Sequence, residues 1–464
     1  MSSDLPTRVP SSLAISDVLG ALSLALDLTE GQPVGHTLRA CGISIEIARQ
    51  VGLPEEEQVT LYHAALLKDA GCSSNAARVF QLFGGNDQIT KRDFKLVDWT
   101  HYFEAASFAM SHAVPGASIF ERAERIAALA KAGPNAADEL VEIRCTRGAS
   151  IAARLGFGPK VAAAIAALDE HWDGNGRPAR FRGEEIPISA RILLLAQTLD
   201  VFAWNEGADA ALEMARRRSG TWFDPALVAA CEGLREHLSA WRSQQLPSLQ
   251  HAVRMRDPSP PMELSGQGAL GDVAEAFASI VDAKSPFTQR HSRRVADIAM
   301  AIARERGVES EMLRVAALLH DLGKLAVPNS ILDKPGPLTE PEWKIMRRHP
   351  EDSLRILRRL KGLGGWADVA AAHHERLDGQ GYHLGLDGRV LNLEARILAV
   401  ADVYESLTAD RPYRAALDRT ATFAILEAGR GNAFDGDCID ALAALLDRGE
   451  LQDDTGPDSV SRAA

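Results

Sequence analysis

The chain repeats itself at long range. The stretch DEHWDGNGRPARFRGEEIPISARILLLAQTLDVF at 169–202 parallels HERLDGQGYHLGLDGRVLNLEARILAVADVYESL at 374–407, each with D-G-x-G, a turn, and then A-R-I-L on an apolar run. Earlier in each copy, YHAALLKDAGC at 62–72 parallels RVAALLHDLGK at 314–324, and GHTLRA at 35–40 parallels RHSRRV at 290–295. Three matches in the same order mark a duplication, and a period this long belongs to tandem domains rather than to a solenoid. Between the second and third matches the first copy is longer, which places an insertion within 74–140.

Each copy reads as helical. In HSRRVADIAMAIARERG, Val295, Ile298, Ala299 and Ile302 follow the i, i+3, i+4, i+7 pattern and Gly307 supplies a stop. Thr339 with Glu342 three residues on is a capping-box signature; Pro341 fits a first turn, whereas Pro350 should kink the helix or restart it. Strand signals are sparse, so the predicted class is all-α. SQQLPSLQ and RDPSPPMELSGQGALG concentrate Pro, Ser, Gly and Gln. They predict a linker over 243–267 between domains at 15–242 and 268–450, with disorder in the first dozen residues and in the tail 451–464.

The chain is long enough for two or three domains, and 46% hydrophobic with 25% charged residues is a globular composition among its 464 residues. A net charge of −12 argues against binding to a nucleic acid polymer, though bound metal ions would still allow an anionic substrate. Five scattered cysteines without a C-x-x-C pair suit a reducing compartment. MSSDLPTRVPSS lacks a cationic segment followed by an apolar core, and LGALSLALDL at 19–28 is too short to span a bilayer. The expectation is a cytoplasmic protein without membrane association.

The second copy concentrates metal-binding side chains: His291, His320 with Asp321, His349, His373 with His374, and Asp402. Imidazoles and carboxylates together suit iron, manganese or zinc. Seven donors exceed the need of one ion, and two ions sharing a bridging carboxylate would use them all. Asp321, beside a ligand histidine, is the expected bridge. Two such ions clamp the attacking and leaving oxygens of a phosphoryl group.

Around these residues stand H-D-L-G-K at 320–324, I-L-D-K-P-G-P-L-T at 331–339, H-P at 349–350, H-H-E-R-L-D-G-Q-G-Y at 373–382 and A-D-V-Y-E-S-L-T-A-D-R-P-Y-R at 401–414. Over about 150 residues the second copy resembles the HD-GYP domains, a group of HD-superfamily metal-dependent phosphohydrolases. The resemblance implies two tandem HD-type helical bundles, a centre of two or three metals usually containing iron, and hydrolysis of cyclic di-GMP to pGpG or GMP. It assigns His291, His320, Asp321, His349, His373, His374 and Asp402 as ligands, with Asp321 bridging and Lys324 assisting at the phosphate. It places Gly379, Gly381, Tyr382, Arg411 and Arg414 on the substrate side. Two positions depart from the pattern. His383 stands where the motif has proline, and Phe287 stands where three-metal members carry a glutamate, which favours two ions.

The first copy lacks this donor set. His36 and Asp69 stand at the places of His291 and Asp321, but Lys68 replaces His320, Cys72 replaces Lys324, and Thr146 or Cys145 falls at His349. Leu168 and Asp169 replace the histidine doublet, and Gln197 replaces Asp402. This copy reads as a degenerate HD-GYP-like domain with a regulatory or structural role. Arg177, Arg180 and Arg182 near Pro178 offer either a nucleotide-phosphate contact or, the preferred reading, a solvated basic loop. The leading expectation is a cyclic-di-GMP phosphodiesterase. Its alternatives are an HD hydrolase of another nucleotide or cyclic dinucleotide, and a catalytically weak, cyclic-di-GMP-responsive scaffold that signals by protein contacts; a homodimer or signalling protein partners are the expected associations.

Overall fold

The computed structural model describes residues 12–451, apart from 116, 261–262, 266–267, 309 and 361–362. The expected disordered ends therefore fall almost wholly outside the described residues. Helices build the chain; the only sheet among the described residues is a short antiparallel pairing of Ser12–Ala14 with Glu263–Ser265. Two compact units emerge. The first comprises Leu19–Met262 with Pro328–Ser330, and the second comprises Glu263–Val327 and the chain from Ile331 on, with the residues up to Val18. No helix among the described residues is long and apolar enough to cross a membrane.

The two units use the same local plan. In the first, the A-R-I-L run lies in Ile188–Glu206, which is buried on nearly every side and packs against His36–Gln50. In the second, Leu393–Thr408 occupies the equivalent place against His291–Glu305. A helix apolar all round belongs inside a bundle, and both do. The insertion of the first unit supplies Ala76–Phe83, Asp87–Phe94, Tyr102–His112 and the first part of Ile119–Arg154. That last segment breaks at Gly133, whose φ of 61° is a left-handed conformation that favours glycine.

Local signals worked as their chemistry dictates. The Thr339–Glu342 capping box opens Glu340–Met346, and Pro350 sits in the first turn of a new helix, His349–Leu357. The stretch read as linker differs. Leu246–Arg254 is a helix, with Pro247 in its first turn and Leu249 and Val253 buried. Just beyond it, Arg256 pairs with Glu46 at 2.9 Å and covers the Trp241 ring. Proline marks a helix start as readily as a linker, and the apolar stripe decides between them.

One backbone contact places the site in each unit. Helix Glu311–Leu319 ends at His320, and the next turn brings Gly323 against the chain at His349. A Cβ on Gly323 would lie 1.9 Å from the His349 carbonyl oxygen. Ser353 reinforces the junction: its hydroxyl donates to His320 O at 2.7 Å and accepts from Gly323 N at 2.8 Å. In the first unit Gly71 makes the same approach, but to the carbonyl of Arg144.

Candidate metal centre

All seven expected ligands converge in the second unit. Asp321 Oδ2 lies 3.2 Å from His291 Nε2 and 3.3 Å from His320 Nε2. Asp321 Oδ1 points the other way, 3.4 Å from His349 Nε2 and 3.7 Å from His373 Nε2. Asp402 Oδ1 joins the first group at 3.5 Å from His291 and 3.7 Å from His320, and its Oδ2 lies 4.0 Å from His374 Nδ1. The result is two adjoining donor clusters that share Asp321.

The histidines are oriented from behind. The Nδ1–H groups of His320, His349 and His373 each donate to the carbonyl three residues earlier, at 2.6, 2.7 and 2.7 Å. His291 Nδ1 instead bonds the carboxylate of Glu405. With Nδ1 occupied, each Nε2 presents its lone pair inward, as a metal ligand requires. His291 Nε2, His320 Nε2 and Asp321 Oδ1 are buried without a hydrogen bond among the described residues. Buried polar atoms rarely go unpartnered, so this donor set fits a pair of divalent cations.

The electrostatics agree. Burial pushes the His349 imidazole down to about 3 and that of His374 to about 4, so both are neutral at pH 7. Burial opposes charge on His320 too, but the adjacent Asp321 and Asp402 carboxylates outweigh it and raise His320 to about 10. Burial would raise Asp321, yet the His320 and Lys324 charges hold its carboxyl well below the usual range. The cluster demands positive charge, and ligation by a cation would release the proton that otherwise supplies it.

Comparison with known proteins follows the same line. A sequence profile of the HD domain matches residues 124–227 and 275–438. The chain belongs to the HD domain family. Within it, the motifs place it among the HD-GYP proteins. It is 41% identical over 439 residues to 3'3'-cGAMP-specific phosphodiesterase 3 of Vibrio cholerae, covering 94% of this chain and 95% of that one. The crystal structure of a V. cholerae cyclic GMP-AMP specific phosphodiesterase, V-cGAP3, superposes with a TM-score of 0.64 at 38% identity, covering 95% of this chain and 99% of that one. The cyclic di-GMP phosphodiesterase response regulator RpfG of Xanthomonas campestris is 41% identical over 194 residues, 40% of this chain and 50% of that one.

Beside the HD doublet, Lys324 Nζ donates to Asp321 Oδ2 at 2.5 Å. Tyr382 lies over His374, ring centroids 4.7 Å apart, at the rim of the centre. Gly379 has a φ of 72°, a left-handed turn that suits glycine. Gly381 makes its close approach to Glu375, not to open space: a Cβ there would lie 2.5 Å from Glu375 Oε2. Glu375 in turn accepts from the backbone of Leu384 and Leu386 at 2.6 and 2.8 Å, closing the loop in which His383 replaces proline. Arg414 donates to the carbonyls of Leu407, Ala415 and Ser406, and Arg411 pairs with Glu405 at 3.0 Å. Both arginines thus hold the turn and the ligand shell.

Glu405 and Glu375 were not singled out from the sequence. Both had a signal there. Glu375 matches Glu170 directly after the doublet position, and Glu405 matches Asp200 three residues after the Asp402 position.

The HD position of the first unit carries cations of its own. Lys68 is fully buried, contacts Asp69 and lies 3.1 Å from His36 Nε2. Lys95 Nζ lies 3.0 Å from Glu30 and 3.6 Å from Asp69. Arg144 pairs with Asp169. The Gly71 contact corrects the alignment: Arg144, not Thr146 or Cys145, stands where the second unit has His349. Glu30, Asp69 and Cys72 lie close enough together to hold an ion, but the ammonium groups of Lys68, Lys91 and Lys95 already neutralise their carboxylates. His36 keeps the rear bond of its counterpart, Nδ1 to Asp200 at 2.7 Å.

Proposed function

We propose that the protein is a metal-dependent phosphodiesterase that opens a 3',3'-linked cyclic dinucleotide, with 3'3'-cGAMP as its substrate. The observation that carries the chemistry is Asp321, whose two oxygens face two separate donor clusters. Two divalent ions, iron being the expectation from the family, would supply Lewis acidity and an activated water at a phosphoryl group. The chain's own part is to hold the donors in their unprotonated faces, through the Nδ1 bonds, and to place Lys324 beside the bridge. From there the ammonium can hydrogen-bond a phosphoryl oxygen, its charge complementing the one that builds up on reaction. Tyr382 offers an aromatic face at the rim for a base.

Near-complete coverage of the cGAMP-specific relative supports cGAMP over the cyclic di-GMP expected from the motifs. Cyclic di-GMP stands as the second reading, supported by 41% identity to RpfG over 194 residues. We read the first unit as a domain without metals, in which Lys68, Lys95 and Arg144 neutralise the carboxylates. The decisive experiment joins metal analysis to product chromatography on 3'3'-cGAMP and cyclic di-GMP, with a His320→Ala/Asp321→Ala variant beside the wild type. The proposal requires bound metal, a linear dinucleotide or mononucleotide product, a higher kcat/KM on cGAMP, and loss of turnover in the variant. Metal-loaded wild type that leaves both substrates intact would refute it.

A further inference from the structure

Beyond Tyr382 the rim carries an arginine that the fold itself does not employ. Arg347 closes the helix Glu340–Met346, and its backbone N–H bonds Trp343 O at 2.9 Å. Residues four apart share a helix face, and here Arg347 lies over the Trp343 ring, 5.3 Å from its centroid. The same guanidinium is 5.7 Å from the Tyr382 centroid. Tyr382 leads on to His374, so the three side chains run outward from the metal centre. Trp343 leaves 37% of its surface exposed, unusual for so large a ring. Among the described residues the Arg347 guanidinium makes no hydrogen bond or ion pair, whereas Arg376, Arg411 and Arg414 around the same rim are all engaged.

We propose that Trp343, Arg347 and Tyr382 seat one guanine base of the dinucleotide, with Arg347 reading its edge. The proposal rests on the reading of this centre as a cyclic-dinucleotide phosphodiesterase. Aromatic rings and guanidinium planes accept any base by stacking, so stacking alone gives no choice among bases. The choice comes from the edge. Guanine presents O6 and N7, two acceptors that match the arginine fork, while adenine puts an amino donor beside N7. A guanidinium has donors only, so it meets that amino group unfavourably. Arg347 lies against two rings with its donors uncommitted among the described residues, so they are free to form such a fork. A substrate with at least one guanine, such as 3'3'-cGAMP or cyclic di-GMP, satisfies it; cyclic di-AMP does not.

The test uses the metal-loaded full-length chain and its Arg347→Ala, Arg347→Lys and Trp343→Ala variants. KM and kcat are measured on 3'3'-cGAMP and cyclic di-GMP, cyclic di-AMP is measured as a competitive inhibitor, and metal content is determined for each protein. Arg347→Ala should raise KM for both guanine-bearing substrates roughly tenfold to a hundredfold, with a much smaller fall in kcat. It should leave metal content and the Ki for cyclic di-AMP unchanged. Arg347→Lys should not rescue, because an ammonium keeps the charge and loses the fork. Trp343→Ala should weaken all three ligands alike. Equal weakening of all three by Arg347→Ala, or rescue by lysine, would mean a phosphate contact and overturn the proposal, as would unchanged KM. Wild type inert on both substrates would instead bring down the underlying phosphodiesterase reading, and that result is visible before any variant is made.

Discussion

Replacing Lys68 by methionine should destabilise the first unit by about 3 kcal/mol or more, within the range for breaking one partner out of a buried ion pair. Methionine preserves the length and most of the volume of the side chain, so the perturbation is chiefly electrostatic. Lys68 and Asp69 are both essentially without exposure, and after the change the one cation left in an ion pair with Asp69 among the described residues would be Lys95, at 3.6 Å and shared with Glu30, beside the weak Cys72 thiol donor. His36 Nε2 would also lose the ammonium now 3.1 Å away. For a unit of this size each kcal/mol moves the melting point by about 2–4 °C, so the first transition should fall by about 6–12 °C. Differential scanning calorimetry on Lys68→Met, Asp69→Asn and the double variant gives the test. Removing both charges should recover most of the loss, because the penalty lies in the uncompensated carboxylate rather than in the absent pair. A single-variant loss under about 1 kcal/mol, the worth of an exposed pair, would refute the reasoning. So would a double variant no more stable than Lys68→Met.

Further perturbations probe other links. Glu405→Gln keeps the shape behind His291 but weakens its Nδ1 acceptor, and should lower metal affinity about 10–100-fold in competition with a chromophoric chelator; unchanged affinity would clear Glu405 of that role. His171 stacks on Trp222 at 4.0 Å, and burial pushes its imidazole down to about 3, so it folds neutral. A depressed histidine contributes stability above its unfolded value near 6.5 and loses it as pH falls, by about 2 kcal/mol at pH 5. His171→Phe should therefore flatten the stability profile between pH 7 and pH 5, and an unchanged slope would argue against it. Gly381→Ala would press a Cβ against Glu375 and should free the Leu384 and Leu386 amides, read as faster hydrogen exchange there, at a cost of about 1–3 kcal/mol.

The sequence was legible where one residue type suffices to carry a signal. Helix His291–Glu305 follows from its apolar period and its glycine stop, and Glu340–Met346 from its capping box. The seven donors of the second unit were identifiable because histidine and aspartate are the chemistry itself. What stayed hidden depends on three-dimensional register. Arg144 lies one or two positions from Cys145 and Thr146, the residues that linear spacing selects, and only the backbone contact at Gly71 reveals it. Arg347 gives no sign in one dimension, since its distinction is that among the described residues its guanidinium meets only rings and makes no hydrogen bond or ion pair. Helix Leu246–Arg254 was obscured by proline and glutamine, although Leu249 and Val253 already carried its buried stripe.

The glycine junctions have a consequence for how a centre of this design can change over generations. Gly323 abuts the His349 carbonyl and Gly71 abuts the Arg144 carbonyl, so the close approach in each unit is a main-chain contact that leaves the side chains of residues 349 and 144 out of it. The side chains at that crossing are passengers: imidazole in one unit and guanidinium in the other ride on the same chassis. A lineage can therefore exchange a metal-type donor for an organic cation at this crossing without moving its main chain. The reverse trade, from a silent site to a reactive one, would have to restore donors at Lys68, Arg144, Leu168, Asp169 and Gln197 together.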